Sequence, residues 1–574
     1  MRLNIVESKN ARQLYVIKSY RTETGKSTTK IVEKLGNYDE LAKIHSDPIA
    51  WAKEYIEELN RKEKEKQLTV SVKFAPSELI NKDEQRLYEG GYLFLQKIYY
   101  ELRLDYICHK IADKYKFEYN LNEIMSRLIY GRILSPSSKL STFDYSQKLL
   151  EKPSFKLQDV YRALDVIAEE NQYIQSSMYK FSKELGKRND RILYYDCTNY
   201  YFELEHERGM CKYGTSKENR PNPIVQMGLF MDGDGIPLAF CLNDGNTNEQ
   251  KTLKPLEKQI IDDFGNSKFV VCTDAGLSSV ANRKFNNQAG RAFITTQSIK
   301  KMKAFQKEWA LSPTDWHLTG IKRTFNLDEI LSDETSVNEY YDRIFYKERW
   351  FNENGIEQRF IVTFSIKYLN YTRKVRNEQI TRARKALNSA DMTDRTRQTD
   401  YKRFITKTAV TSDGEIAEKK LYSLDENKIA EEEKYDGFYA VAIDLEDEVE
   451  TIIAVNKGRW EIEESFRIMK TEFQARPVYL QKDNRILAHF TTCFIALTVL
   501  RYLEKKLQGK YTCSKMIDGL NDIKFLRFPD EGYVPAYTRN DFTDCLHDTF
   551  HFRTDYQILS NATIRKIISE SKEK

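Results

Sequence analysis

The stretch that most constrains this 574-residue chain lies between residues 191 and 296, where strand and helix signals follow one fixed order. Residues 191–203 are rich in aromatic and β-branched side chains and read as a strand. Residues 223–230 and 236–242 flank Asp232-Gly233-Asp234-Gly235, a turn signal that makes them a hairpin. Helical spacing then runs over 253–264, a short apolar strand over 268–272 ends in Thr273-Asp274-Ala275-Gly276, and residues 278–288 are helical again. Residues 292–296 close the run as a strand. The order β-β-β-α-β-α-β demands three antiparallel strands followed by crossover units, hence a mixed sheet covered by helices.

That strand order is the order of an RNase H-like α/β domain, and the rest of the chain is arranged around it. Before it, residues 12–36 carry two β-prone stretches around Thr22-Glu23-Thr24-Gly25-Lys26, a hairpin signal, and residues 42–185 are mostly helical. After it comes an interruption of about 150 residues before the next long helix. Within it a hairpin is expected from 345–350 and 358–365 around Asn352-Glu353-Asn354-Gly355, then a basic helical segment, then strand character over 420–443. A long helix is expected over 447–473, followed by a helical C-terminal region.

Composition excludes several classes. With 40% apolar and 12% aromatic residues the chain can build large cores, although 31% charged residues and a mean hydropathy of -0.64 imply a very polar surface. The longest apolar run, 489–503, contains threonines and Arg501 and falls short of the ~18–20 residues of a membrane span, so it reads as a buried helix. The opening MRLNIVESKN has no apolar signal region, which makes a cytosolic protein the expectation. No C-x2-C pair, H-E-x-x-H, G-x-x-x-x-G-K-[ST] or G-x-G-x-x-G occurs, which leaves zinc, ATP and dinucleotide chemistry without support. The net charge is only +5, yet residues 367–407 hold twelve Lys/Arg against four Asp/Glu. This segment is a candidate phosphate-binding surface, with a solvated helix face as its alternative.

Three carboxylates stand in contexts that fix their geometry. Asp196 interrupts the apolar strand Ile192-Leu193-Tyr194-Tyr195, where an ionised, unpaired carboxylate costs several kcal/mol and a metal removes the penalty. Asp274 ends a later strand just before a glycine region, where open α/β sheets place ligand-binding residues. Glu463 lies in the helical stretch after the interruption. At ~100° per residue, Asn456, Arg459 and Lys470 fall within roughly 40° of it, beside an apolar stripe of Val455, Ile462, Phe466, Met469 and Phe473.

Together these residues resemble the DDE transposases of bacterial insertion sequences, in particular the group whose third acid lies in a Tyr-x2-Arg-x3-Glu-x6-Lys signature. Arg459, Glu463 and Lys470 match the spacing, and Asn456 occupies the tyrosine position. The resemblance also takes in Asp196-Cys197-Thr198-Asn199, Gly245-Asn246 with Glu249, Arg476-Pro477-Val478-Tyr479 and Ala488-His489. It implies an RNase H-like catalytic core interrupted by a β-rich insertion, with mainly helical flanks. The corresponding division is a basic β-hairpin (1–40), a helical DNA-binding region (41–188), the first part of the core (189–300), an insertion (301–445), the catalytic Glu helix and end of the core (446–505), and a C-terminal helical region (506–574).

The resemblance further implies that Asp196, Asp274 and Glu463 hold two Mg2+ ions, with Mn2+ able to substitute. Such an enzyme hydrolyses DNA at terminal inverted repeats and joins the freed 3′-OH ends to target DNA. Arg459, Lys470 and Asn456 are then expected beside the scissile phosphate, and Arg373, Lys374, Arg376, Arg382, Arg384 and Lys385 on the DNA. Trp309, Trp316 and Trp350 are candidates to receive a flipped base. Double-stranded DNA, a homodimer at synapsis, and a cytoplasmic, nucleoid-associated location follow from the same resemblance, with no membrane and no nucleotide cofactor. The alternatives are an RNase H-like nuclease without strand transfer and a catalytically inactive transposase derivative.

Overall fold

The computed structural model describes residues 1–8, 11–21, 27–67, 77–387, 400–409, 420–476, 478–528 and 531–574. They form two compact units, Met1–Glu84 with Phe528–Gly532, and Gln85–Arg527 with Tyr533–Lys574.

The first unit is an antiparallel sheet of β1 (Arg2–Ser8), β2 (Ala11–Arg21) and β3 (Ser27–Asn37), followed by helix α1 (Pro48–Gln67). The expected hairpin is β2 and β3, and its turn at Thr22-Glu23-Thr24-Gly25-Lys26 lies outside the described residues. The opening seven-residue strand was not expected. It pairs with β2, and alternate residues Leu3 and Ile5 join Leu14, Leu41 and Ala52 in a small core.

In the second unit, helices α2 (Leu121–Leu134), α3 (Lys139–Ser146) and α4 (Leu157–Glu169) precede the sheet. The first strands are β4 (Ile192–Tyr201), β5 (Ile224–Asp232) and β6 (Pro237–Asp244). Helix α5 (Leu253–Phe264), β7 (Val270–Thr273), α6 (Val280–Asn286) and β8 (Ala292–Thr296) complete the expected β-β-β-α-β-α-β run. In the sheet these five strands lie in the order β6-β5-β4-β7-β8, the first pairs antiparallel and β4-β7-β8 parallel. At the β5–β6 turn Asp232 accepts backbone N–H groups from Asp234 and Ile236 at 3.1 and 2.8 Å and pairs with buried Arg188 at 2.6 Å.

The segment after β8 extends this same sheet. β9 (Trp316–Leu318), β10 (Ile321–Phe325), β11 (Phe345–Glu353) and β12 (Ile356–Phe364) are followed by helix α7 (Ile366–Leu387) and β13 (Phe438–Ile443). β13 pairs antiparallel with both β12 and β8, so the sheet grows to ten strands, β10-β9-β11-β12-β13-β8-β7-β4-β5-β6. Residues 420–443 are not strand throughout. Between strand Lys420–Leu424 and β13, the acidic helix Glu426–Glu433 is capped by the Asp425 side chain.

The expected long helix over 447–473 is two helices, α8 (Val449–Lys457) and α9 (Trp460–Lys470), separated at Gly458 and Arg459. The apolar run near 489–503 belongs to α10 (Asp483–Lys506), which is longer than the sequence pattern suggested. By length and composition this helix is able to cross a membrane, but 94% of its apolar window is buried inside the protein, against α2 and α4 among others.

Strand alternation sorts β4 onto two faces. Tyr195 and Cys197 join the cluster containing Leu253, Leu256 and Ile260 of α5. Tyr194 packs with Val449 and Ile452 of α8, and Tyr200 with Phe490 of α10. Asp196, an even number of residues from both Tyr194 and Tyr200 along β4, therefore shares the face that meets α8, α9 and α10.

Candidate active site

The parallel pairing of β4 with β7 brings two of the three carboxylates together. Tyr195 is in register with Thr273, so Asp196 and Asp274 stand one residue further along neighbouring strands, where strand spacing is about 5 Å. Asp196 is half-buried, and its Oδ1 accepts from the Cys197 backbone N–H at 2.7 Å. Asp274 directly follows β7 and caps the next turn by accepting from the Ala275 N–H at 2.5 Å. Burial pushes the Asp196 carboxyl up to about 6; Lys217, the Cys197 N–H and Arg459 oppose this, and the Asp274 charge adds to it.

The third carboxylate arrives on α9. Tyr194 Oη donates to the Val455 carbonyl of α8 at 2.9 Å, and Lys470 Nζ donates to Thr198 Oγ1 at 2.7 Å. These two contacts, two residues either side of Asp196, hold the helix pair across its face of the sheet. Gly458 permits the approach: a Cβ there would lie 2.2 Å from Tyr194 Oη. Arg459 then reaches back, with Nη1 3.1 Å from Asp274 Oδ1 and Nη2 3.9 Å from Glu463 Oε1. Burial draws the Arg459 guanidinium down, but Asp274 and its neighbours leave it raised and firmly cationic. Glu463 is exposed, its side chain 65% accessible.

Lys217 and Lys470 lie close enough to Asp196 to act on it electrostatically. Lys217 donates to the Cys197 carbonyl and lies 3.4 Å from Glu249. Lys470 lies 3.5 Å from Glu218, which also pairs with Arg476. Burial, reinforced by Lys217 and opposed by Asp196, lowers the Lys470 ammonium to about 8. Sequence reasoning missed Lys217 and Glu218, because they come from the loop between β4 and β5 and their proximity depends on that loop's path.

The family model described as Transposase DDE domain matches residues 204–499, just over half of the chain and including Asp274 and Glu463. The chain belongs to the DDE transposases. A second model, IS1634 family transposase, N-terminal domain, matches residues 3–71 of the transposase and places it with the bacterial insertion sequences. DDE transposases are in general divalent-metal dependent. No curated protein matches the transposase. Among solved structures, the cryo-EM structure of piggyBac transposase synaptic complex with hairpin DNA matches at 8% identity and a TM-score of 0.35, covering 84% of this chain and 85% of that one.

In the transposase, Asn456 at the signature's tyrosine position donates to the hydroxyl of Tyr439 on β13 at 3.0 Å, and that hydroxyl lies 2.8 Å from Thr296 Oγ1. A phenol thus reaches this neighbourhood from a neighbouring strand. Tyr439, Asn456, Arg459, Trp460, Glu463 and Tyr368 line a cavity of about 340 Å³. Trp309, Trp316 and Trp350 do not line it. Trp316 is fully buried with Nε1 donating to the Ser312 carbonyl at 2.9 Å, Trp309 packs on Phe351 and Trp350 is exposed on β11. The aromatic side chains that line it are Phe364, Tyr368, Tyr439 and Trp460.

Helix α7 carries the basic segment, of which residues 388–399 lie outside the described residues. Arg373, Lys374, Arg382 and Lys385 line one open groove on it, and Arg384 is exposed off that groove. Arg376 departs from the expected set. It is buried and paired with Asp436 and with Glu433 at 3.1 Å, because its helical position turns inward toward the segment preceding β13.

The donor set of the transposase suits a hard cation. Asp196, Asp274 and Glu463 offer only carboxylate oxygen, and Asp196 is a desolvated carboxyl with no ion-pair partner within 4 Å among the described residues. Arg459 lies between Asp274 and Glu463. Among the described residues, the one trio whose ligand atoms all lie within 4.8 Å of one another is elsewhere, Asp544, His547 and Asp555. There Arg539 and Arg553 already neutralise both carboxylates, at 2.7 and 2.6 Å for the closest contacts.

Proposed function

We propose that this chain is the transposase of an insertion sequence. It binds terminal inverted repeats, cleaves the DNA by metal-dependent phosphodiester hydrolysis and joins the 3′-OH ends to target DNA as a homodimer. The observation that supports the reading is that Asp196 after Tyr195 of β4 and Asp274 after Thr273 of β7 stand side by side, with Arg459 reaching from Asp274 to Glu463 of α9 and with Lys470 and Lys217 beside Asp196. The strand order β6-β5-β4-β7-β8 supports an RNase H-like core, with residues 301–445 as its insertion.

Asp196, Asp274 and Glu463 would hold two divalent ions, Mg2+ with Mn2+ as a substitute. When bound, such ions activate a water or a 3′-OH and stabilise the leaving oxygen. The chain's own groups do the rest. Burial pushes the metal-free Asp196 carboxyl up to about 6, so at neutral pH it carries the charge a cation would meet. Lys470, Lys217 and Arg459 provide cations for the non-bridging oxygens of the scissile phosphate. The cavity beside Glu463, with Tyr368, Tyr439 and Trp460 in its wall, has the stacking surfaces for an unpaired base. The groove cations of α7 provide sequence-independent contacts to backbone phosphate.

The test is cleavage of a duplex carrying the inverted repeats that flank the gene. Asp196→Ala, Asp274→Ala and Glu463→Ala should each abolish Mg2+-dependent cutting while end binding persists. Cutting by any one variant removes that residue from the site. Hydrolysis by the wild type without joining of the 3′ ends would favour a nuclease without strand transfer.

A further inference from the structure

Next to this centre is a second site that the proposed chemistry does not use. After α9 the chain turns past a cavity of about 210 Å³ walled by Arg132, Ser138, Lys139, Arg476, Tyr479 and His489 among others. Among the described residues no carboxylate lines it. Arg132 is buried and fixed by its Nη1 and Nη2 donating to the carbonyls of Phe473 and Ser137 at 3.0 and 3.2 Å, while its Nε has no hydrogen-bond partner among the described residues. Lys139 is only 6% exposed and makes no hydrogen bond or ion pair within the described residues. It is the first residue of α3, whose N-cap Ser138 also lines the cavity, so the positive end of that helix adds to the same field.

A buried cation without a counter-charge is unfavourable and is retained where something compensates it. Burial first, then Arg132, lowers the Lys139 ammonium to about 7. Burial and these same two cations hold His489 well below the usual imidazole range. A small anion would compensate it and is what the space admits: at about 210 Å³ the cavity is below the roughly 300–1,000 Å³ of sites for drug-sized ligands. Arg476 places it. The same side chain pairs with Glu218, which contacts Lys470, which in turn donates to Thr198 two residues from Asp196.

We infer that this cavity is a binding site for one phosphate group, held by Lys139, Arg132 and Arg476, and that in the working complex the group is a backbone phosphodiester of the DNA strand lying at the Asp196–Asp274–Glu463 centre. The DNA half of the assignment rests on the proposed function; the anion site does not. The chain uses it to fix a strand at a point away from the reacting phosphate, through contacts that carry no sequence information.

The experiment compares full-length wild type with Lys139→Gln and Lys139→Met in two arms. In the first, inorganic phosphate is titrated and the melting temperature followed: wild type rises and both variants do not. In phosphate-free buffer Lys139→Met melts higher than wild type, because it removes an uncompensated buried charge. In the second, binding of the inverted-repeat duplex is measured by fluorescence anisotropy at several salt concentrations. Both variants lose about ten-fold in affinity, and the log–log salt slope falls by about 0.9. A scan with single methylphosphonate linkages finds one position that weakens wild type and leaves the variants unchanged.

Variants that match wild type in both arms overturn the site, as does a lower melting temperature for Lys139→Met without phosphate. A response to inorganic phosphate with unchanged DNA affinity and slope overturns the assignment to DNA. If wild type binds no inverted-repeat DNA the transposase reading fails, and the phosphate arm alone then decides the anion site.

Discussion

Asp196→Asn separates what Asp196 does for the fold from what it does for chemistry. Burial shifts its carboxyl from 3.8 to about 6, so the ionised form in the metal-free protein is disfavoured by about 3 kcal/mol relative to a solvated carboxylate. The sign follows from linkage. With a folded value above the unfolded one, the carboxyl is harmless below about pH 4, where it is protonated in both states, and stability is lost as pH rises through about 6. Asparagine keeps an oxygen to accept the Cys197 N–H and removes the charge. The metal-free Asn variant should therefore be more stable than wild type at pH 8 by up to about 3 kcal/mol, the gain shrinking through pH 6 and vanishing near pH 4. Thermal melts across this range read it as a rise of a few degrees, since ~1 kcal/mol moves a 150–250-residue protein by about 2–4 °C and a longer chain by less. Added Mg2+ at a thousand-fold excess over its Kd should reverse the ranking, because it then stabilises the state that binds it by about 4.1 kcal/mol. An Asn variant no more stable than wild type in metal-free buffer at pH 8, or one that gains as much from Mg2+ as wild type, would refute the reasoning.

Other positions give independent checks. Gly458→Ala puts a methyl against Tyr194 Oη and should cost about 1–3 kcal/mol, with cleavage reduced and DNA binding retained; Tyr194→Phe in the same chain should restore part of both in melts and cleavage assays. Asp232→Ala strands Arg188, buried on β5's turn side, and should lower unfolding stability in urea by about 3–5 kcal/mol. Neutralising Arg373, Lys374, Arg382 and Lys385 should flatten the salt dependence of DNA binding by up to about 0.9 per residue. Arg376→Gln should leave that slope unchanged and reduce stability instead, because its partners are Asp436 and Glu433.

The β-β-β-α-β-α-β run and the hairpin at Asp232-Gly233-Asp234-Gly235 were legible because period, turn chemistry and strand composition act over a few neighbouring residues. The three carboxylates stand out in the sequence for a related reason: Asp196 is incongruous within its own strand, Asp274 follows a strand end, and Glu463 sits at fixed spacing from Arg459 and Lys470. Local pattern gave no access to partners distant in the chain. That Asp196 and Asp274 adjoin depends on β4 pairing with β7 across the intervening hairpin and helix. That the inserted strands lengthen the core sheet depends on β13 choosing β8.

The same distinction governs the charges. Sequence by itself determined that cations gather between residues 367 and 407, and it ranked Arg376 with its neighbours, since a lysine or arginine on a helix looks alike from either side. Tertiary structure turned Arg376 inward, left Arg373, Lys374, Arg382 and Lys385 in an open groove, and buried Lys139 without a counter-charge among the described residues. Charge is written in the chain, but the solvation and partners that decide what a charge does are set by contacts between segments far apart in it.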